Sequence, residues 1–419
     1  MKKFTTPTFK ALAISALLAT TGVVAGVAVP AQAADKPAAP KYKLSKPVQQ
    51  ALAESQKLSA AGDNAGALAK VNEAAALPSL TPDEIYMINA VKINIAIATK
   101  DNTLLEQALR GALSSGMVPP DDQAKFYRNL GALALQHNDY ASATSDFEKL
   151  AALNPADTEP QIALAELYQR QKQPVKAVAM LTKVIETAKA NGTVAPETVY
   201  RRRLAIAYDA KLAADIQPAA MALVAAYPNP VNWRDALTIF RDGANLDDQA
   251  SLDTLRLMAT VGALNGERDY AVYAETASNR GLPGEAKTAL DEGVAKGMLS
   301  TSKPFVKELS GVVNPKIAAD KASLPGLAKD AAKAANGKLA LSTGDAMYGY
   351  GQYADAAAMY KLAMSKGGID ADTANLRLGM VLAKSGDKAG AEAAFKAVAG
   401  PGARKTLAQY WLIWLSKKA

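Results

Sequence analysis

The sequence contains no cysteine and a single histidine, His137, in 419 residues. The missing cysteine excludes disulfides, thiolate chemistry, cysteine-ligated zinc and a lipidated N-terminal cysteine. With one histidine, any metal site would have one imidazole and otherwise only carboxylates. Aromatic residues supply only 6% of the chain, although apolar residues as a class reach 49%. Alanine and leucine therefore carry the apolar character, and such small side chains suit close-packed helices better than a sheet core. The expected fold class is all-α. Beyond the N-terminus no stretch approaches the roughly 20 unbroken apolar residues that cross a bilayer.

The N-terminus reads as a targeting segment, residues 1–33. It opens "MKKFTTPTFK", with Lys2, Lys3 and Lys10 ahead of the apolar run "ALAISALLATTGVVAGVAV". Ala31 and Ala33 fit a small-x-small cleavage site, with cutting after Ala33. The expectation is export to the periplasm, with a short linker at 34–47 next in the chain. Removal of the signal takes three lysines from the formal charge of +8 and leaves 45 basic against 40 acidic residues. So small a surplus on so long a chain is no nucleic-acid signature.

Self-comparison shows a repeat. Leu130, Ala134, Ala143 and Phe147 recur 34 residues later as Leu164, Tyr168, Ala177 and Leu181, with Gly131 falling on Ala165. Near the C-terminus Gly344, Gly351, Ala356 and Tyr360 recur 35 residues later as Gly379, Gly386, Ala391 and Phe395. Small residues where two helices cross let their backbones approach, and large ones fill the flanks. Tyr127-x2-Leu130-Gly131-x2-Ala134, then Ala143-x3-Phe147, then Pro155, resembles the tetratricopeptide repeat, with Ala134 replacing an expected aromatic. Weaker copies stand at "AAGDNAGALAKVNEAAALP", "RLAIAYDA" (Leu204, Ala205, Tyr208) and "GLPGEAKTALDEGVAKG".

The pattern divides the chain. Repeats are expected over 48–300, clearest at 124–190 and degenerate at 228–270. Residues 301–340, with three prolines and then a lysine–alanine-rich run, read as a linker or weakly helical spacer. A repeat pair is expected at 341–400. The closing "ARKTLAQYWLIWLSKKA" at 401–419 places Leu407, Tyr410, Trp411 and Trp414 on one helical face and reads as a capping helix.

The resemblance implies a right-handed α-solenoid whose concave groove is lined by the first helix of each pair and holds an extended peptide or a partner helix. The groove candidates are Lys125, Arg128 and Gln136, then Glu159, Glu166, Gln169 and Arg170, then Arg202 and Asp209. Their mixed charge suggests selective polar binding. Ala132 and Ala163 fall where a carboxylate clamp would need polar groups, so no clamp is expected.

No constellation of catalytic residues competes with this reading. His137 sits at a repeat turn, with Asp139 and Asp146 at positions expected to be solvated. Ser300-x-x-Lys303 lacks the companion elements of penicillin-binding enzymes. Gly349-Tyr350-Gly351 mimics a dinucleotide fingerprint but comes after a helical pattern, not a strand. Arg201, Arg202 and Arg203 point in different directions on a helix and make no single patch. The expected function is a non-enzymatic, exported scaffold that binds protein in envelope assembly or polymer export, with no cofactor, no metal and no nucleic acid, and any membrane association peripheral or through a partner. Two alternatives stand beside it. One is a helical cell-wall lyase using Glu54, Glu166 or Glu275 as general acid; the other is a structural subunit of an outer-membrane complex docked through the tryptophan helix.

Overall fold

The computed structural model describes residues 42–418. The expected signal segment, its cleavage point after Ala33 and most of the 34–47 linker lie outside them. The described residues form twenty α-helices and no strand, so the fold is all-α. The chain divides into two compact units, residues 1–193 and 194–419.

Unit 1 holds α1 (Lys46–Ala60), α2 (Asn64–Ala75), α3 (Pro82–Thr99), α4 (Asn102–Ser114), α5 (Pro120–Gln136), α6 (Tyr140–Leu153), α7 (Glu159–Arg170) and α8 (Pro174–Ala190). They pair in order as four hairpins, each packed on the next. One turn design closes them all. The first helix ends on a residue with left-handed backbone: Gly62, Lys100, Asn138 or Lys172. In the first three hairpins the next residue is an aspartate that caps the second helix. Asp63 accepts from the Gly66 N–H, Asp101 from Leu104 and Asp139 from Ser142, at 2.8–3.0 Å. Such a cap contributes about 1 kcal/mol. His137 is the exposed residue just before Asn138, as the repeat pattern implies.

Within the α5–α6 hairpin the small-against-large logic is visible in distances. A Cβ added to Gly131 would lie 2.7 Å from the Phe147 ring. The same pairing, sixteen residues apart, sets Gly344 against Tyr360 and Gly379 against Phe395. Val48, Leu52, Ile93, Phe126 and Leu130 belong to one continuous core. Each such side chain contributes about 1.5–3 kcal/mol on burial.

Unit 2 holds α9 (Glu197–Asp209), α10 (Ala213–Ala226), α11 (Pro230–Gly243), α12 (Asp248–Thr260), α13 (Glu267–Asn279), α14 (Pro283–Ala295), α15 (Pro304–Lys333), α16 (Lys338–Gly349), α17 (Tyr353–Lys366), α18 (Ala371–Ser385), α19 (Lys388–Lys396) and α20 (Ala403–Ser416). In α9 the repeat register differs from the sequence reading by one residue. Leu204 is buried, but Ala205 and Tyr208 are exposed, and Tyr200, Ile206 and Ala207 complete the core. The buried positions of α7 and α9 superimpose at an offset of 39 residues, so Ala165 corresponds to Leu204 and not to Ala205.

Two elements depart further from a plain repeat. Helix α12 is buried nearly all round: Leu252, Asp253, Thr254, Leu255, Arg256, Leu257 and Met258 are all inaccessible to solvent. A helix enclosed on every side has no use for a one-sided pattern, which accounts for the degenerate signature at 228–270. Residues 304–333, which read as linker or spacer, form the 30-residue helix α15 despite Pro315 and Pro325 inside it. Its buried residues Val306, Val313, Leu324 and Ala331 recur at intervals of 7, 11 and 7, one narrow stripe set against α14 and α16. Most of the helix is solvated, which is why its sequence shows so little apolar periodicity.

The last helix does more than cover α19. It also packs on α18, α10 and α12, so the end of unit 2 meets its beginning. The Tyr410 hydroxyl donates to Gln217 Oε1 at 2.9 Å, and its ring lies edge-on to Trp233 and Phe240. Arg404 pairs with Asp247 at 2.7 Å.

Candidate functional site

The first helices of the α5–α6 and α7–α8 hairpins carry most of the expected groove residues. Lys125 is exposed and pairs with Asp122 one turn back at 2.7 Å. Arg128 reaches from α5 to Asp157 and to Glu159 of α7, at 3.3 and 3.1 Å. Gln136 is exposed and accepts from the Asn102 amide at 3.3 Å. Arg170 lies over the Tyr140 ring at 5.9 Å, and Gln169 beside it is exposed, whereas Glu166 is half-buried. The structure thus brings Arg128 and Glu159 into contact and leaves Lys125, Gln136 and Arg170 with separate partners. In unit 2, Arg202 is half-buried and Asp209 exposed, both on α9. Arg201, which the sequence reading set aside, bridges Glu197 of its own helix and Asp235 of α11 at 3.0 and 3.3 Å.

Asp146 is a correction. It is buried, not solvated, and receives Arg110 of α4 at 3.1 Å. Burial raises its carboxyl pKa and the Arg110 charge opposes that rise. The other sequence-level suspects fall apart on geometry. Ser300 bonds Ser302, while Lys303 pairs with Glu267 at 3.1 Å. Gly351 has the left-handed backbone of a hairpin turn, as in the other repeats.

Sequence reasoning missed a buried charge cluster in unit 2. Arg256 of α12 donates twice to Glu285 of α14, at 2.7 and 2.6 Å, and once to Asp253 at 2.8 Å. Arg377 of α18 bonds Asp253 at 3.2 Å and Asp345 of α16 at 2.6 Å. The hydroxyls of Tyr273 and Tyr360 donate to Glu285 and Asp345, each at 2.8 Å. Two cations thus meet three carboxylates with almost no solvent access. Burial drives the Asp345 pKa up against the pull of Arg377 and Arg256, while the surrounding carboxylates hold both guanidinium groups charged. The signal was present in "LDTLRLMAT" and "NLRLGMVL", where an arginine interrupts an otherwise apolar stretch. It cannot be read without knowing that those helices are enclosed.

Chemically the cluster is a fastener. Every carboxylate in it accepts from a guanidinium, and Glu285 and Asp345 accept from a phenol as well. Of the glutamates weighed as a general acid, Glu54 and Glu275 are exposed and Glu166 is half-buried. Among the described residues no group of three or more histidine, aspartate or glutamate side chains is placed to hold a metal ion. No helix there is long and apolar enough to cross a membrane.

Residues 134–194 match the tetratricopeptide repeat family. No curated protein matches the chain. Among solved structures it is similar to YrrB, described as a tetratricopeptide repeat protein with an unusual peptide-binding site, at 15% identity over 42% of this chain and 85% of that one, with a TM-score of 0.28. A tetratricopeptide repeat protein from Parabacteroides merdae is 13% identical over 81% of this chain and all of its own, TM-score 0.27. The Naa15/Naa10 complex bound to HypK is 18% identical over 86% of this chain and 58% of that one, TM-score 0.31.

Proposed function

We propose that this chain is a non-enzymatic scaffold that holds a peptide or partner helix against the first-helix faces of unit 1, on the concave side that a tetratricopeptide array presents. One observation carries the reading: within and beside the recognised repeat, the outward positions of α5 and α7 are polar, mixed in charge and tied by surface pairs such as Arg128 with Glu159. Exposed pairs of this kind contribute about 0–1 kcal/mol. A partner carrying its own charges can therefore replace them at little cost. The targeting pattern at 1–33 supports export, and a helical scaffold without disulfides suits envelope assembly or polymer export in the periplasm.

The alternative of a subunit docked through the tryptophan helix has less to rest on, because Trp411 is already fully buried inside unit 2. The test is photo-crosslinking in envelopes, with a crosslinking residue placed at Gln136 or Glu159 and, as reference, at Lys183 of α8. The reading requires a discrete adduct at the first two positions and none at the third. Equal labelling at all three, or none anywhere, defeats it.

A further inference from the structure

We propose that unit 2 contains a binding site for a small oxyanion, a carboxylate or phosphate on a ring-sized body, in a cleft separate from the peptide-binding face of unit 1. The cleft has a volume of about 390 Å³ and is walled by α12, α14, the α16–α17 turn and Lys384 of α18. That is the lower part of the usual range for small-molecule sites. The α16–α17 turn contributes Tyr348, Tyr350 and Tyr353, the tyrosines of the "YGYGQY" stretch that resembled a dinucleotide fingerprint.

The donors decide the ligand class. Among the described residues the hydroxyls of Tyr348 and Tyr353 make no hydrogen bond, and the ammonium of Lys384, an exposed residue, makes no direct ion pair, the Glu292 charge acting on it only from a distance. Tyr348 is only 8% exposed, and what stays accessible includes its hydroxyl, which borders the cleft. Burial raises the pKa of both phenols, with the Glu285 charge adding to the rise, so they remain protonated donors at neutral pH. The acids that line the cleft are already committed: Glu285 to Arg256 and Tyr273, and Glu292 to Lys296. Lys287 is likewise committed, to Asp291 at 2.6 Å. Desolvation of its ammonium lowers the Lys384 pKa, the Glu292 charge opposes that in part, and the Lys418 charge adds slightly to the lowering.

One ammonium and two phenols without acceptors therefore line a cleft of aromatic walls, Tyr348 and Tyr353 meeting edge to face at 5.7 Å. An oxyanion supplies the acceptors they lack, and its ring lies against the tyrosines. Arg256 is not a ligand group. Its guanidinium stacks 4.5 Å from the centre of the Tyr348 ring and fixes that side chain from behind.

The experiment titrates the full chain with phenyl phosphate by calorimetry, alongside benzoate, inorganic phosphate and phenol. Phenyl phosphate or benzoate is expected to saturate one site per chain, with phenol alone too weak to measure. Whichever acid binds more tightly tells phosphate from carboxylate as the source. Lys384→Met should weaken binding about tenfold and Tyr353→Phe about threefold. Lys287→Met should leave it unchanged. Lys384 and Tyr353 make no side-chain hydrogen bond to the fold, and circular dichroism confirms that each variant is folded. The proposal is overturned if neither acid saturates by about 10 mM, or if Lys384→Met binds as the parent does. Neither outcome bears on the peptide-binding reading of unit 1, because the two sites share no residue.

Discussion

Two arginine–glutamate contacts separate the two units better than their helix counts do. Arg128 and Glu159 in unit 1 meet at 3.1 Å with side chains 50% and 71% exposed, whereas Arg256 and Glu285 in unit 2 meet at 2.6 Å with 0% and 2% exposed. The residue types are the same and the bond lengths similar, yet the energetics are opposite in kind. Water can replace either partner of the first pair, so breaking it costs little. The second pair has no water to fall back on, and removing one member strands a buried charge. Unit 1 keeps most of its charges on the outside of ordinary hairpins, where a partner can use them, with Glu84 and Asp146 as buried exceptions. Unit 2 commits its central charges internally, joining α12 to α14, α16 and α18, and turns its accessible donors toward the tyrosine-walled cleft.

The sharpest way to break that comparison is Arg256→Met. It leaves Glu285 without its cation and Asp253 with Arg377 alone, and is expected to cost about 3–5 kcal/mol, read by denaturant unfolding. Adding Glu285→Gln should recover part of the loss; no recovery would mean that the charge is not what fails. Gly131→Ala in unit 1 comes next. Its new Cβ meets the Phe147 ring at 2.7 Å, and the expected cost is about 1–3 kcal/mol. Phe147→Leu in the same chain should relieve a good share of it, giving a measurable coupling energy. A smaller effect is expected of Tyr410→Phe, which loses the bond to Gln217 across the closing helix, about 0.5–1.5 kcal/mol with no change of fold by circular dichroism.

Glu84 sharpens the comparison through pH. It closes a capping box with Thr81, and Ser45 above all, with the Thr81 N–H next, lowers its pKa from about 4.5 to about 2. Because the folded value is depressed, the stability it contributes is present above about pH 4.5 and is lost as pH falls toward 2. Glu84→Gln should be less stable at pH 7 and flatter across that acid window in a pH series of thermal melts. An unchanged slope would show that other carboxylates govern acid unfolding. The smallest effect belongs to Arg128→Met, expected to change stability by less than about 1 kcal/mol. A cost comparable to that of Arg256→Met would erase the distinction between the units.

Much of the fold is legible in the sequence, and the reason is local. Gly131, Ala143 and Phe147 announce a helix crossing because only small residues allow the backbones to approach. "HND" announces the turn because Asn138 tolerates left-handed backbone and Asp139 caps α6. Such signals act over a few residues, so they survive as spacing. Asp146 misled for the opposite reason. Its partner Arg110 lies 36 residues away, and nothing in "SATSDFEKL" records it. The groove candidates fall on exposed helix faces where the register is clear, at Lys125, Arg128, Gln136, Glu159, Gln169 and Arg170, whereas Glu166 is half-buried. On α9 the one-residue slip put Tyr208 in the core when it is in fact exposed.

By itself, the sequence determined the all-helical class, the hairpins of the clear repeats and the absence of cysteine chemistry, because composition, small–large spacing and caps operate within one hairpin. The tertiary structure alone decided that α12 is enclosed, that Arg256 and Arg377 are neutralised by acids up to 124 residues away, and that the tyrosines of one turn open onto a cleft with Lys384. Those facts depend on which distant helices end up as neighbours, and burial converts the same charged residue from a solvated decoration into a structural commitment.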